Sequence, residues 1–113
     1  MEIETQTAGR VSILILQGRF DTQHADSVKE AIEEAIALYS KIVINVEEVT
    51  FMDSSALATL VQGMKKCRQN GGDLRVCNLQ QPVQTIFELT RLDKAFALFD
   101  TQNAAVRSFH GPK

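Results

Sequence analysis

The chain is poor in cysteine: Cys67 and Cys77 are its only two. Two thiols set this far apart build neither a disulfide scaffold nor a metal knuckle. They read as reduced, largely buried side chains in a reducing compartment. A surplus of positive charge is also missing. The 12 Lys and Arg against 14 Asp and Glu leave a formal net charge of −2, whereas nucleic-acid binding ordinarily shows as a basic excess. Nucleic acid is therefore not an expected partner. Long apolar runs are absent. The longest is Ile13-Leu14-Ile15-Leu16, far short of the roughly 20 residues that cross a bilayer. The first residues, Met1-Glu2-Ile3-Glu4, lack the basic start and apolar stretch of a signal peptide. A cytoplasmic protein with no direct membrane insertion is the expectation.

Catalytic and cofactor signatures are equally scarce. The sequence holds no glycine-rich loop ending in lysine and no G-x-S-x-G elbow, so the usual phosphate cradle and hydrolase nucleophile are not indicated. His24 and His110 are the only histidines, and neither has a Cys or His at metal-ligand spacing. Asn70-Gly71-Gly72 reads as a turn rather than a dinucleotide loop. Asp21 and Asp53 form a conceivable carboxylate pair, but both also suit helix caps. A binding protein rather than an enzyme is expected, with no cofactor and no metal.

What is present is an ordinary globular composition, 44% apolar and 23% charged over 113 residues. That length suits one domain, expected over residues 1–110 with a flexible tail at 111–113. Ala8-Gly9 separates two strand-like stretches, Glu2 to Thr7 and Val11 to Leu16, which read as a hairpin. Val28, Ile32, Ala35, Ile36 and Tyr39 recur at helical spacing, and Asp21-Thr22 offers that helix a cap. Ile42 to Val46 suits a central strand. Leu57, Leu60, Val61 and Met64 mark a second helix, which Asn70-Gly71-Gly72 ends. Leu74 to Cys77 reads as a strand, and Pro82 opens a third helix bearing Val83, Ile86, Phe87 and Leu89. Phe96 to Phe99 suits a short edge strand. Asp100-Thr101 caps a last helix carrying Ala104, Ala105, Val106 and Phe109. Strands alternating with helices after a hairpin imply an α/β fold with a mixed, mostly parallel sheet.

Open sheets of this type gather functional groups in the loops at the carboxyl ends of their parallel strands. Two such loops stand out, Gly18-Arg19-Phe20-Asp21 and Phe51-Met52-Asp53-Ser54-Ser55. In the second, Asp53, Ser54 and Ser55 are three consecutive capping residues. One of them caps the helix on the plainest reading. On the functional reading, a serine hydroxyl stands at a helix N-terminus, where free N–H groups and the helix dipole favour a phosphate. Phe20, Phe51 and Met52 flank the position. Exposed, they form an apolar patch for a partner protein; buried, they close the top of the core.

The stretch Ile42 to Val46, followed by Val49-Thr50-Phe51-Met52-Asp53-Ser54-Ser55-Ala56-Leu57, resembles the signature of STAS domains, and most of all the bacterial anti-sigma factor antagonists. Gly18 to Asp21, Asn70 to Gly72, Pro82 to Leu92 and Phe96 to Asp100 follow the same family order. The resemblance implies a sheet of about five strands with four helices packed mainly on one face. It implies that the unmodified protein binds an anti-sigma factor that is also a serine kinase using ATP and magnesium, and so frees a sigma factor. It implies phosphorylation at Ser54, reversal by a serine phosphatase, acidic neighbours at Asp21 and Asp53, and a second, usually unmodified hydroxyl at Ser55. Partner contact is expected from Phe20, Asp21, Phe51, Met52, Asp53, Ser54, Ser55 and Leu57. A STAS adaptor that is never phosphorylated, such as a subunit of a lipid-transport ATPase, is the alternative. Two positions depart from the family, which commonly has glycine where Ala56 and Ala58 stand. Alanine favours a helix by roughly 1 kcal/mol over glycine, while each methyl stands where a kinase loop is expected to approach. Either a monomer or a weak dimer is compatible with exposed strand edges.

Overall fold

The structure, a computed structural model, describes residues 1–110. The tail expected at 111–113 lies outside the described residues. Strand β1 (Glu2–Ala8) turns at Gly9, whose φ of +62° suits a residue without a side chain. It then pairs antiparallel with β2 (Val11–Gln17), from Glu2 opposite Gln17 to Ala8 opposite Val11. Strands β3 (Lys41–Glu48), β4 (Asp73–Cys77) and β5 (Leu98–Phe99) follow in parallel, in the spatial order β1-β2-β3-β4-β5. Helices α1 (Ala25–Leu38), α2 (Ser54–Gln69) and α3 (Gln81–Leu89) connect the parallel strands, and α4 (Gln102–Ser108) follows β5. The mixed, mostly parallel five-stranded sheet with four helices is the architecture that the sequence implied.

Alternation along the strands decides which helix covers which face. Leu14, Leu16, Ile42, Ile44, Val46, Leu74 and Val76 point to one side, where they meet Val28 and Ile32 of α1, Leu60 and Met64 of α2, and Val83 and Phe87 of α3. Val11, Ile13, Val43 and Cys77 point to the other side, where α4 lays Ala105 on them. Three helices thus share the larger core and one covers the reverse face. Phe87 meets Phe96 edge-on at 5.6 Å between ring centroids, which joins α3 to the segment before β5.

Helix α2 is rotated slightly from its expected seating. Its fully buried residues are Ala56, Leu60, Gly63, Met64 and Cys67, while Leu57 and Val61 are only half-buried. Small residues let the helix lie close. A Cβ on Gly63 would come within 3.1 Å of both Ile32 and Leu74. The end of α2 is equally tight. Gly71 takes a φ of +83°, and a Cβ on Gly72 would stand 2.0 Å from the Ser40 carbonyl oxygen. The Asn70-Gly71-Gly72 turn is therefore required by conformation at one glycine and by space at the other.

The start of α1 differs from the sequence expectation. Asp21-Thr22 does not cap it; His24 occupies the cap position and supplies no side-chain capping bond. The reason is competition. The Asp21 carboxylate is occupied by the Gln23 N–H and the His24 ring, and Thr22 is bonded to Asp53. The helix begins once those groups are satisfied.

Candidate functional site

The two conspicuous loops leave the adjacent strands β2 and β3 and run side by side. A bulge sets their spacing. Ile15 lies opposite Asn45, but Gln17 lies opposite Glu48, so β3 carries one extra residue. The buried Asn45 stabilises the bulge: its Oδ1 accepts the Glu47 N–H at 2.9 Å, and its Nδ2 donates to Gln102 Oε1 at 2.8 Å. Beyond the bulge the pairing resumes. Gly18 N donates to Glu48 O at 3.0 Å, Phe20 N donates to Phe51 O at 3.1 Å, and Phe20 bridges Met52 in parallel fashion. Gly18, at φ +114°, makes the kink that keeps the first loop alongside the second.

This pairing drives Phe20 and Met52 inward. Phe20 is 0% exposed and Met52 is 2% exposed, and both belong to the larger core. The expectation that they contribute a partner-binding surface is corrected here. A residue at each loop's sheet-like bridge continues the strand alternation and points into the core. Phe51, on the opposite side, stays half-exposed. The Arg19 guanidinium stacks over its ring at 4.0 Å from the centroid, and Arg19 Nε lies 3.5 Å from Asp21 Oδ2.

Asp53 is the cap of α2. Its Oδ1 accepts the Ala56 N–H at 3.0 Å. Its Oδ2 accepts the Thr22 N–H at 3.0 Å and the Thr22 hydroxyl at 3.1 Å. The Thr22 and Ser55 hydroxyl oxygens are 2.9 Å apart. One carboxylate thus closes the helix start and fastens the first loop to it. The Ala56 N–H above all, with the Thr22 N–H and hydroxyl, holds the Asp53 carboxyl below the usual aspartate value despite partial desolvation. At Asp21, desolvation acts upward. It is outweighed by the hydrogen bond and charge of His24, by Arg19 and by the Gln23 N–H, so this carboxyl is lowered too. Both aspartates therefore present negative charge beside the helix start at neutral pH.

Ser54, the first residue of α2, is exposed, and its hydroxyl has no hydrogen-bond partner among the described residues. Ser55 is half-buried and engaged with Thr22. Leu57 is half-buried and lies one turn on from Asp53. Ala56 is fully buried, so its methyl faces the core rather than any approaching partner; Ala58 is the exposed one. Asp21, Phe51, Asp53, Ser54, Ser55 and Leu57 thus share one end of the sheet. The sequence reading missed Thr22 and Asn45 as organisers of the site, and Arg19 as its cation. Among the described residues no group of three or more His, Cys, Asp or Glu side chains is arranged to hold a metal ion, and no helix is long and apolar enough to cross a membrane.

A mixed sheet carrying a capped aspartate-serine-serine turn at the start of its second helix defines a small α/β domain with its two paired loops at one end of the sheet. The STAS domain family matches residues 2–105, and the chain belongs to that family. It is 30% identical over 104 residues to the anti-sigma F factor antagonist of Paenibacillus polymyxa, covering 90% of this chain and 89% of that protein. Its fold is shared with an anti-sigma factor antagonist from Mycobacterium paratuberculosis, at a TM-score of 0.87 and 24% identity, over 96% of this chain and 93% of that one. The anti-sigma factor antagonist SpoIIAA in its unphosphorylated form superposes with a TM-score of 0.84 at 21% identity, covering 99% of both chains. The Bacillus cell fate determinant SpoIIAA in its phosphorylated form superposes with a TM-score of 0.75 at 19% identity, over 95% of this chain and 98% of that one.

Proposed function

We propose that this chain is an anti-sigma factor antagonist that binds its anti-sigma factor when unmodified and is switched off by phosphorylation of Ser54. One observation carries the assignment to that residue: of Asp53, Ser54 and Ser55, only Ser54 combines exposure with an unengaged hydroxyl. The names of its relatives support the wider role. Partner contact comes from Asp21, Phe51, Asp53, Ser54, Ser55 and Leu57, with Phe20 and Met52 supporting them from beneath. The chain acts by binding and not by catalysis. Its partners are an anti-sigma factor that is a serine kinase and a serine phosphatase that resets the switch.

The physics of the site favours a switch that works at the interface. A phosphate adds a charge of about −1.5 to −2 at neutral pH. At the start of a helix the dipole and free N–H groups offset that charge, so the fold accommodates it. At a partner interface the dianion stands beside two ionised aspartates. Desolvating it there costs several kcal/mol unless the partner supplies cations.

The test is phosphorylation by anti-sigma serine kinases with ATP and magnesium, read by intact mass on the wild type and Ser54→Ala. One added phosphate on the wild type and at most a minor, slower fraction on the variant is expected. Phosphate that persists at the wild-type level in Ser54→Ala overturns the assignment. No phosphate on the wild type favours the adaptor reading, for which the exposed methyl of Ala58 is the supporting feature.

A further inference from the structure

We propose that Thr22 selects which of the two adjacent serines accepts phosphate, by holding the Ser55 hydroxyl and leaving that of Ser54 unengaged. This rests on the phospho-acceptor reading above and adds a positioning residue from a different loop. The proton count gives the direction of the bonds. Thr22 Oγ1 has one proton, and Asp53 Oδ2, an ionised carboxylate oxygen, lies 3.1 Å away as an acceptor. Thr22 therefore donates to Asp53. The 2.9 Å contact with Ser55 is then a bond in which Ser55 donates to Thr22. Ser55 has committed its only proton and its orientation to the first loop. Asp53 is itself fixed by the Ala56 and Thr22 N–H groups, so the chain from Ser55 to Thr22 to Asp53 is anchored at its far end.

Phosphoryl transfer needs the opposite arrangement. The acceptor oxygen forms a bond to the γ-phosphorus of ATP, the bond to the ADP leaving group breaks, and the hydroxyl proton passes to a base on the kinase. Ser54 can rotate its hydroxyl toward an incoming nucleotide without losing a partner. Ser55 must first break its bond to Thr22 and leave that oxygen with one acceptor position empty. Two neighbouring hydroxyls of identical chemistry are thus made unequal by a residue 33 positions away from Ser55. Losing one net hydrogen bond shifts such a preference by roughly fivefold.

The experiment compares wild type, Thr22→Val and Thr22→Ser. Valine keeps the shape and removes the hydroxyl, while the backbone N–H bond to Asp53 remains available. After treatment with an anti-sigma serine kinase and ATP-magnesium, peptide mass mapping gives the ratio of phosphate on Ser54 to phosphate on Ser55. That ratio should fall roughly fivefold in Thr22→Val and return toward wild type in Thr22→Ser. A merely structural role would lower the total phosphate or the melting temperature without moving the ratio. An unchanged ratio in Thr22→Val overturns the proposal. A second measurement needs no kinase: NMR side-chain couplings should show one fixed Ser55 rotamer in the wild type and averaging in Thr22→Val, with Ser54 averaged in both. Ser55 averaged in the wild type, or still fixed in Thr22→Val, also overturns it. A wild type that accepts no phosphate sinks the acceptor reading instead, and the couplings then decide the role of Thr22.

Discussion

Phe20 and Phe51 lie in the two loops of the site, yet the structure gives them opposite work, and paired alanine substitutions separate the two. Phe20 is 0% exposed within the larger core. A buried phenylalanine removes about 150–250 Å² from water, worth roughly 4–6 kcal/mol at about 25 cal/mol per Å². Measured truncations of buried phenylalanine fall at about 3–5 kcal/mol, because alanine keeps part of the contact and the cavity relaxes in part. A domain of this length is stable by roughly 5–15 kcal/mol. At a mid-range stability of about 10 kcal/mol, Phe20→Ala should therefore remain folded but lose roughly a third to a half of it. With a urea slope of about 1.5 kcal/mol per molar, the unfolding midpoint should drop by roughly 2–3 M.

Phe51→Ala should behave otherwise. It forfeits the stack with Arg19, worth about 0.5–1 kcal/mol at an exposed site, so the midpoint should move by well under 1 M. Its cost should appear in capture of an anti-sigma factor. Urea titration followed by circular dichroism measures stability, and titration calorimetry with the anti-sigma factor measures binding at a urea-free, fully folded condition. The reasoning fails if Phe20→Ala loses less than about 1 kcal/mol while abolishing binding, since that would make Phe20 a surface contact. It fails equally if Phe51→Ala is the more destabilised of the two.

Two further outcomes follow from the site and the core. Asp21 and Asp53 both titrate below the ordinary aspartate value when folded, so the unfolded chain binds more protons in acid. Their contribution to stability is present above the unfolded value and is lost as pH falls through the lowered folded values; urea midpoints measured from pH 6 down to pH 2 should decline less steeply for Asp53→Asn, and an identical decline would refute the capping account. Burial pushes the Cys67 thiol up to about 11 and the Cys77 thiol up to about 12, and both are free and buried. At pH 8 a disulfide reagent such as DTNB should therefore react with neither until urea unfolds the chain, and prompt reaction of one thiol with the folded protein would contradict its burial.

The elements themselves were legible because their signals are local. Val28, Ile32 and Ala35 recur at helical spacing and are the buried residues of α1. Ile42, Val43 and Ile44 are β-branched and form the centre of the sheet. Pro82 stands in the first turn of α3, and Thr101 caps α4 through the Ala104 N–H. What was not legible depends on residues far apart in the chain. Thr22 looks like a cap for its own helix, and its better partner is 31 residues away at Asp53. Phe20 and Met52 sit in loops with no periodicity to sort buried from exposed; their bridge exists only once β2 and β3 are adjacent. The seating of α2 on Ala56, Gly63 and Cys67 follows from close approach to α1 and β4. An apolar-stripe reading favours the larger Leu57 and Val61, because small residues carry little hydropathic signal. Asn45 reads as a blemish in an apolar strand until the bulge beside it gives its amide a purpose.

These same long-range contacts explain why a modification at Ser54 would act on the partner rather than on the fold. The residues beneath it, Phe20, Met52 and Ala56, are buried and belong to the core. The residues that tie the two loops together use Asp53, Thr22 and Ser55. Ser54 takes part in neither set. A charge placed on it breaks no packing contact and displaces no hydrogen bond among the described residues, so the foundation has no mechanical reason to move. What changes is the outer surface of the two paired loops, which also carries Arg19, Asp21 and Phe51. Arg19 already divides itself between the Phe51 ring and the Asp21 carboxylate, and an exposed ion pair of this kind is weak. A phosphate that reached Arg19 would compete for it on favourable terms. That would draw the guanidinium off Phe51 and alter the apolar contact offered to a partner at the moment the dianion appears. Arg19→Ala separates the two effects: it should leave the phosphate's desolvation penalty in place while removing the rearrangement. The affinity lost on phosphorylation should then shrink in the variant, and an undiminished loss would show that charge alone does the switching.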